Sequence, residues 1–267
     1  YEIASCLVGS EMCIRDSYAT VSKGYKAGGF NTQMFSDVLQ QQVMKQMGFG
    51  SLYDVADVVT YKPEKSWNYE VGAHLSTPSH KVQADLALFY IDCRDQQLTV
   101  FPEGQVTGRL MTNAGRTRSF GGEASLLATL WRNLDLQVAY GYTRATFVKF
   151  DTGKADYAGN FIPYAPQHTL YAGASYTLRT GWNWLEYVIF RVAANGAGRI
   201  YWNEANTFSQ PFYALLEASI RFEHRHWAVD VWGRNLTDTR YDTFYFMSIG
   251  NSFLQRGRLV SYTHLTL

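Results

Sequence analysis

The sequence predicts an all-β chain, an antiparallel transmembrane β-barrel segment of about ten strands, and three observations carry that reading. Apolar and polar residues alternate with period two along most of its length. The connections between these stretches are by turns long and very short. No run of about 18 apolar residues occurs, so no helical membrane span is encoded. Composition alone fits two classes. Of 267 residues, 46% are hydrophobic, 16% aromatic and 18% charged, with 19 Tyr, 16 Phe, 7 Trp and 22 Gly against 6 Pro. A soluble all-β protein and an outer-membrane barrel both match, because the two faces of a barrel average to an ordinary mean hydropathy, here −0.22. With 24 basic against 23 acidic side chains there is no global charge to attract nucleic acid.

The elements come in this order. A first strand covers Tyr18 to Lys26, and a polar connection reaches to about Glu64. Ser66 to Ser76 alternates most cleanly, with Trp67, Tyr69, Val71, Ala73 and Leu75 on one face and Asn68, Glu70, Gly72, His74 and Ser76 on the other. A tight turn at Pro78 to His80 leads to the third strand, Lys81 to Phe101. Its far end carries Asp92, Arg94 and Asp95 and so outruns the apolar layer. After Pro102 to Gly108, Thr112 to Leu130 places Phe120, Ala124, Leu126, Ala128 and Leu130 opposite Glu123 and Ser125. Trp131 to Asn133 turns, and Leu134 to Phe147 alternates again. A polar loop to about Pro166 precedes the sixth strand, through Leu170 to Leu178, and Arg179 to Asn183 turns. Trp184 to Ala194 alternates poorly. The long loop Asn195 to Pro211 is followed by an eighth strand from Ala214 to Phe222, a turn at His224 to His226, and a ninth strand from Trp227 to Asn235. The next loop runs to about Ser252, and a tenth strand begins near Phe253.

The ends break the pattern. Ser5 to Ser17 (SCLVGSEMCIRDS) has neither periodicity, and as a signal peptide it fails: its apolar part is short, no basic region precedes it, and Glu11, Arg15 and Asp16 interrupt the remainder. This stretch resembles the translation of a sequencing-library adapter, as does Val260 to Leu267 (VSYTHLTL). Residues 1–17 and 260–267 are therefore expected to be non-native, with a native region of 18–259. That leaves Cys93 alone among three cysteines, so the native region holds no intrachain disulfide.

The choice between the two classes rests on the connections and the polar faces. Alternating long and short connections are expected where one barrel end carries external loops and the other periplasmic turns. The polar faces carry small or charged residues where a sandwich core needs apolar ones, so lipid is the simplest partner for the apolar faces. Trp67, Tyr142, Tyr176, Trp184, Phe222 and Trp227 fall near strand ends, where interfacial girdles form, although aromatics also favour strands in general.

Several stretches then carry a family resemblance. Tyr18 to Asn31 (YATVSKGYKAGGFN), Tyr61 to Gly72 (YKPEKSWNYEVG), Asn113 to Glu123 (NAGRTRSFGGE), Trp232 to Tyr241 (WGRNLTDTRY) and Phe253 to Arg258 (FLQRGR) together resemble the C-terminal barrel region of TonB-dependent outer-membrane receptors. The resemblance implies a 22-stranded barrel in the outer membrane of a Gram-negative bacterium, filled by an N-terminal plug and importing a scarce ligand, above all a ferric siderophore, with energy from the TonB system. It implies a non-enzymatic receptor with no cofactor, whose partners are outer-membrane lipid, its own plug, the TonB system and the ligand. The chain is expected to be a fragment, not transport-competent alone, forming an open curved sheet, with a small closed barrel as the alternative. A passive porin and a barrel-type outer-membrane enzyme are the rival functions.

Candidate site residues divide by location. Arg199, Tyr201, Trp202, Tyr241, Phe244, Tyr245 and Phe246 in the long loops combine stacking surfaces and a cation that suit an anionic aromatic chelate; aromatics packing on one another is the plainer account. Glu70, Asp85, Glu123, Asp135, Glu217, Arg221, Asp230 and Arg234 lie on the inferred inner face, where they either hold the plug or solvate a wet lumen. His224 and His226 occupy a turn without the Cys or carboxylate partners a metal needs, and no catalytic signature occurs; His74 and Ser76 merely share a face.

Overall fold

A computed structural model describes residues 15–32, 43, 46–48, 59–100, 110–152, 155–248, 251–257 and 260–266. Its strands, in chain order, are β1 (Arg15–Lys26), β2 (Gly29–Phe30), β3 (Thr60–Tyr61), β4 (Glu64–Ser76), β5 (Val82–Val100), β6 (Leu110–Trp131), β7 (Leu134–Lys149) and β8 (His168–Trp182). They continue with β9 (Leu185–Gly198), β10 (Ile200–Tyr201), β11 (Ser209–Gln210), β12 (Tyr213–His224), β13 (Trp227–Arg234), β14 (Asp242–Ser248), β15 (Asn251–Arg256) and β16 (Val260–Thr266). Ten of them make one antiparallel sheet in the order β1-β4-β5-β6-β7-β8-β9-β12-β13-β16. The sheet is open, with β1 and β16 as its edges, and does not close into a small barrel.

The remaining strands form two-stranded pieces, β2 with β3, β10 with β11 and β14 with β15, and each lies within a long connection. The expected loops 195–211 and 236–252 are thus partly ordered as hairpins. The expected tenth strand near Phe253 is instead β15, paired with β14, while Val260–Thr266 supplies the tenth strand of the sheet against β13. β1 begins at Arg15 and pairs Arg15 with Leu75. The expected turn at Arg179 is strand as far as Trp182, because a bulge between Arg179 and Trp182, with Gly181 at φ 75°, absorbs the extra residues. The loop predicted at Pro102 to Gly108 lies outside the described residues.

Register decides which residues share a face. The row Ala73, Leu86, Ala124, Tyr140, Leu170, Gly196 runs across six strands on one side. The adjacent row His74, Asp85, Ser125, Ala139, Tyr171, Asn195 runs on the other. The first face is apolar and uncovered: Val71, Leu86, Leu88, Leu126, Val138, Phe190, Val192 and Val231 are all exposed. An apolar surface of this extent requires an apolar surrounding. Along β6 it runs from Phe120 to Leu130, roughly 33 Å of strand, or about 25 Å of height at a tilt near 40°. That equals the apolar band of a membrane barrel. Tyr69, Tyr90 and Phe120 occupy one cross-strand row at its upper limit. Trp131, Trp182 and Trp184 are exposed at the turn end, the last two stacked at 5.3 Å. Burial in the ordinary sense is concentrated beyond the upper limit, in the cluster Ala114, Ala145, Phe147, Phe150 and Ile162 and in the cluster Ile200, Trp202 and Tyr245.

Candidate functional site

The long-connection end gathers aromatic side chains from three separate connections. Tyr164, which follows Pro163, is held at φ 63° by its N–H donating to the Tyr201 carbonyl at 2.8 Å. Its hydroxyl donates to the Tyr245 carbonyl at 3.2 Å, and its ring stacks on Phe244 at 5.7 Å and tilts against Trp202 at 5.6 Å. Tyr201 stacks on Phe161 at 5.3 Å, and Phe208 meets Tyr245 at 4.8 Å. Asn206 secures Phe161 twice, accepting from its N–H at 2.6 Å and donating to its carbonyl at 2.9 Å. Burial pushes the Tyr164 hydroxyl up to about 12, helped by the nearby Glu204 charge. The Glu204 carboxyl is itself raised above the usual carboxylate range by burial.

These contacts distinguish the predicted loop residues from one another. Trp202 and Tyr245 are buried and knit connections together, whereas Arg199 is exposed and Tyr201, Tyr241 and Phe244 are half-buried. Tyr241 stacks on Tyr213 at 4.5 Å, and Tyr213 in turn packs against the Ile200, Trp202 and Tyr245 cluster. Phe246 is described only by its backbone in β14, opposite Phe253. Sequence reasoning missed Tyr164, Phe161, Phe208 and Glu204. The Pro163-Tyr164-Ala165-Pro166 segment, an aromatic pinned between two prolines, was the signal available for the first of them.

The opposite face of the sheet is polar and hydrogen-bonded in short links. The Tyr18 hydroxyl donates to Glu70 at 2.7 Å. Asp85 accepts from Ser125 at 2.8 Å and pairs with His74 at 2.7 Å, while Thr129 donates to Asp135 at 2.7 Å. Arg221 reaches Glu223 at 2.9 Å and Asp230 at 3.3 Å, and Arg234 lies 3.7 Å from Glu217. Two hollows of about 640 and 650 Å³ open on this face. The first takes in Asp135, Glu217, Asp230 and Arg234, the second Tyr18, Asp85 and Glu123. Ser125 gives its proton to Asp85 rather than to His74, so the Ser-Asp-His group lacks the nucleophile–base contact that hydrolysis needs. His224 and His226 sit 5.7 Å apart at the short turn beside Arg225.

Comparison with known proteins agrees with this geometry. Residues 15–236 match the family model described as TonB dependent receptor-like, beta-barrel. The pesticin receptor of Yersinia pestis is 27% identical over 244 residues, covering 89% of this chain and 31% of the relative. The ferric yersiniabactin uptake receptor FyuA from Yersinia pestis superposes with a TM-score of 0.71 at 22% identity, covering 94% of this chain and 34% of that one. The siderophore receptor PiuA from Acinetobacter baumannii gives 0.63 at 16%, with the same coverage. The chain thus spans about a third of the length of the proteins it matches. These neighbours are transport receptors, not enzymes. A sheet with one lipid-compatible face, a wet face and hairpin-bearing connections at one end is a wall of such a receptor, and the chain belongs to the TonB-dependent receptor β-barrel family of the Gram-negative outer membrane.

Proposed function

We propose that this chain forms part of the wall and external loops of a receptor that imports a ferric siderophore, energised through the TonB system and gated by a plug seated against the polar face. The observation that carries the reading is the aromatic gathering around Tyr164 at the long-connection end, beside the exposed Arg199. Planar stacking surfaces and a guanidinium suit an anionic aromatic chelate. The pesticin and yersiniabactin receptors to which the chain is similar support the siderophore class over other scarce ligands. The Tyr18–Glu70 hydrogen bond and the ionic links at Asp85, Glu217, Arg221, Asp230 and Arg234 offer a plug exchangeable partners of both signs.

The test is growth of a strain carrying the intact gene on single ferric siderophores as sole iron source. Deletion should abolish use of at least one siderophore, and loss of TonB should abolish it equally. A deletion strain that uses every iron source refutes the siderophore assignment, and uptake that survives loss of TonB identifies a passive pore. The segments 1–17 and 260–267 are proposed to be non-native. Backbone pairing of β16 with β13 makes little demand on side chains. Detecting their peptides in protein purified from the native cells would refute this.

A further inference from the structure

A further hollow opens at the short-turn end of the sheet, opposite the aromatic gathering. β9 pairs with β12, so the turn joining β8 to β9 lies beside the turn joining β12 to β13, although the long connection from Gly198 to Tyr213 separates them in sequence. Between them is a polar space of about 670 Å³, walled by Arg179, Trp182, Asn183, Glu186, His224 and Arg225. Both turns are braced from within. The Thr180 hydroxyl donates to the Leu185 carbonyl and accepts from the Trp182 N–H at 3.1 Å, and the His226 N–H donates to His224 Nδ1 at 3.4 Å. Trp182 and Trp184 stack with their planes 13° apart and stay 56% and 62% exposed, so the first turn presents a rigid double ring. On the second turn His224 stacks on Trp227 at 6.0 Å. The two arginines are loosely committed. Among the described residues Arg179 has no carboxylate within ion-pair distance, and Arg225, with its side chain 75% exposed, lies 3.6 Å from Glu186.

We infer that this hollow binds a glycan strand bearing carboxylates, the chemistry of the cell wall beneath the outer membrane. In an outer-membrane barrel the short turns face the periplasm, so the hollow opens toward that wall. The C–H face of a sugar ring lies flat on an exposed tryptophan, where apolar area is buried against the negative π face. The planar groups of Asn183 and Glu186 supply donors and acceptors for ring hydroxyls, and Arg179 and Arg225 supply the forked donors that match a carboxylate. An acidic peptide would use the arginines and leave the ring pair idle. A neutral glycan would use the rings and leave the arginines unpaired, and the chains of an anionic lipid would find no apolar surface in this polar hollow. The proposal goes beyond the import reading: the site tethers the receptor to the wall and leaves uptake untouched.

The test is cosedimentation of the intact receptor, in neutral detergent, with insoluble peptidoglycan sacculi. The receptor should pellet with them, and soluble muramidase fragments of the same sacculi should compete, whereas chitooligosaccharide, polyglutamate and phosphatidylglycerol micelles should not. Arg179→Gln/Arg225→Gln should weaken binding about a hundredfold and Arg179→Gln alone about tenfold. Trp182→Ala should weaken it about tenfold and Trp182→Phe, which keeps a ring, less than about threefold. Lys65→Gln/Arg94→Gln, at the long-connection end, should change it less than about twofold. A parent receptor that stays in the supernatant overturns the proposal, as does unchanged binding in the arginine variants or in Trp182→Ala. Equal loss in Lys65→Gln/Arg94→Gln reduces the effect to net charge and overturns it too. Competition by polyglutamate, chitooligosaccharide or phosphatidylglycerol to match the muramidase fragments assigns the hollow to an acidic protein, a neutral glycan or a lipid headgroup, and each overturns it.

Discussion

The two faces of this sheet are built from the same strands, one residue out of phase, and they obey opposite rules. On the outer face an exposed Leu or Val is at home and an isolated charge is not. On the concave face Glu70, Asp85, Asp135 and Arg221 are the norm, each with a hydrogen-bond partner within reach. Exposure alone therefore means little in such a chain. Leu88 and the Arg234 side chain are 64% and 69% exposed, the one on the apolar face and the other on the polar face.

The sharpest way to break this contrast is to place the same charge on adjacent residues. In the intact receptor, Leu86→Arg, near the middle of the apolar band, should destabilise by about 2–4 kcal/mol. Ala87→Arg, one residue on and beside Asp85 and Glu123, should cost far less. Urea unfolding in lipid vesicles measures both, and equal costs would end the two-face description. A second prediction limits the tolerance of the concave face. A Cβ at Gly121 would run into the backbone carbonyl of Tyr142 and lie 2.8 Å from Phe89. Gly121→Ala should therefore cost about 1–3 kcal/mol, although it adds no charge. A neutral result in the same assay would show that β6 and β7 can separate there.

Smaller effects test the ionic links. Arg221 bridges Glu223 and Asp230 with a side chain still 39% exposed, so Arg221→Gln should cost no more than about 1 kcal/mol. A larger loss would mean that this part of the face is dry. The smallest effect belongs to the loops. Burial holds the Glu204 carboxyl above its ordinary range, so the folded loop binds the proton more tightly than the unfolded chain. Loop stability should then be full below the usual carboxylate range and fall as pH rises through the raised value. Trp202 fluorescence against pH should show that slope, and Glu204→Gln should flatten it. A variant with the same slope as the parent would assign it to another group.

Much of the sheet was legible because period two is a strong signal wherever the two faces meet different solvents. In β4, Trp67 to Leu75 against Asn68 to Ser76 needed no further information. β9 was harder to read because Ile189 puts an apolar residue on the concave side, opposite Arg221 and Thr177. β10 and β11 are two residues each, too short for any period to register. The aromatic gathering was half legible. Its residues could be picked out by type, but the Tyr164 hydroxyl meets a carbonyl 81 positions away, a pairing set by how the long connections fold over one end of the sheet.

Every strand of the main sheet hydrogen-bonds to the strand before it in that sheet, and four of the nine junctions need only a short turn. Each such hairpin can form locally, because closing a loop of a few residues forfeits little chain entropy. The wall can therefore grow one hairpin at a time, each new strand templated by the last, without waiting for a distant segment to arrive. For a structure whose outer face would aggregate in water, assembly by successive local steps shortens the time any apolar edge stays uncovered.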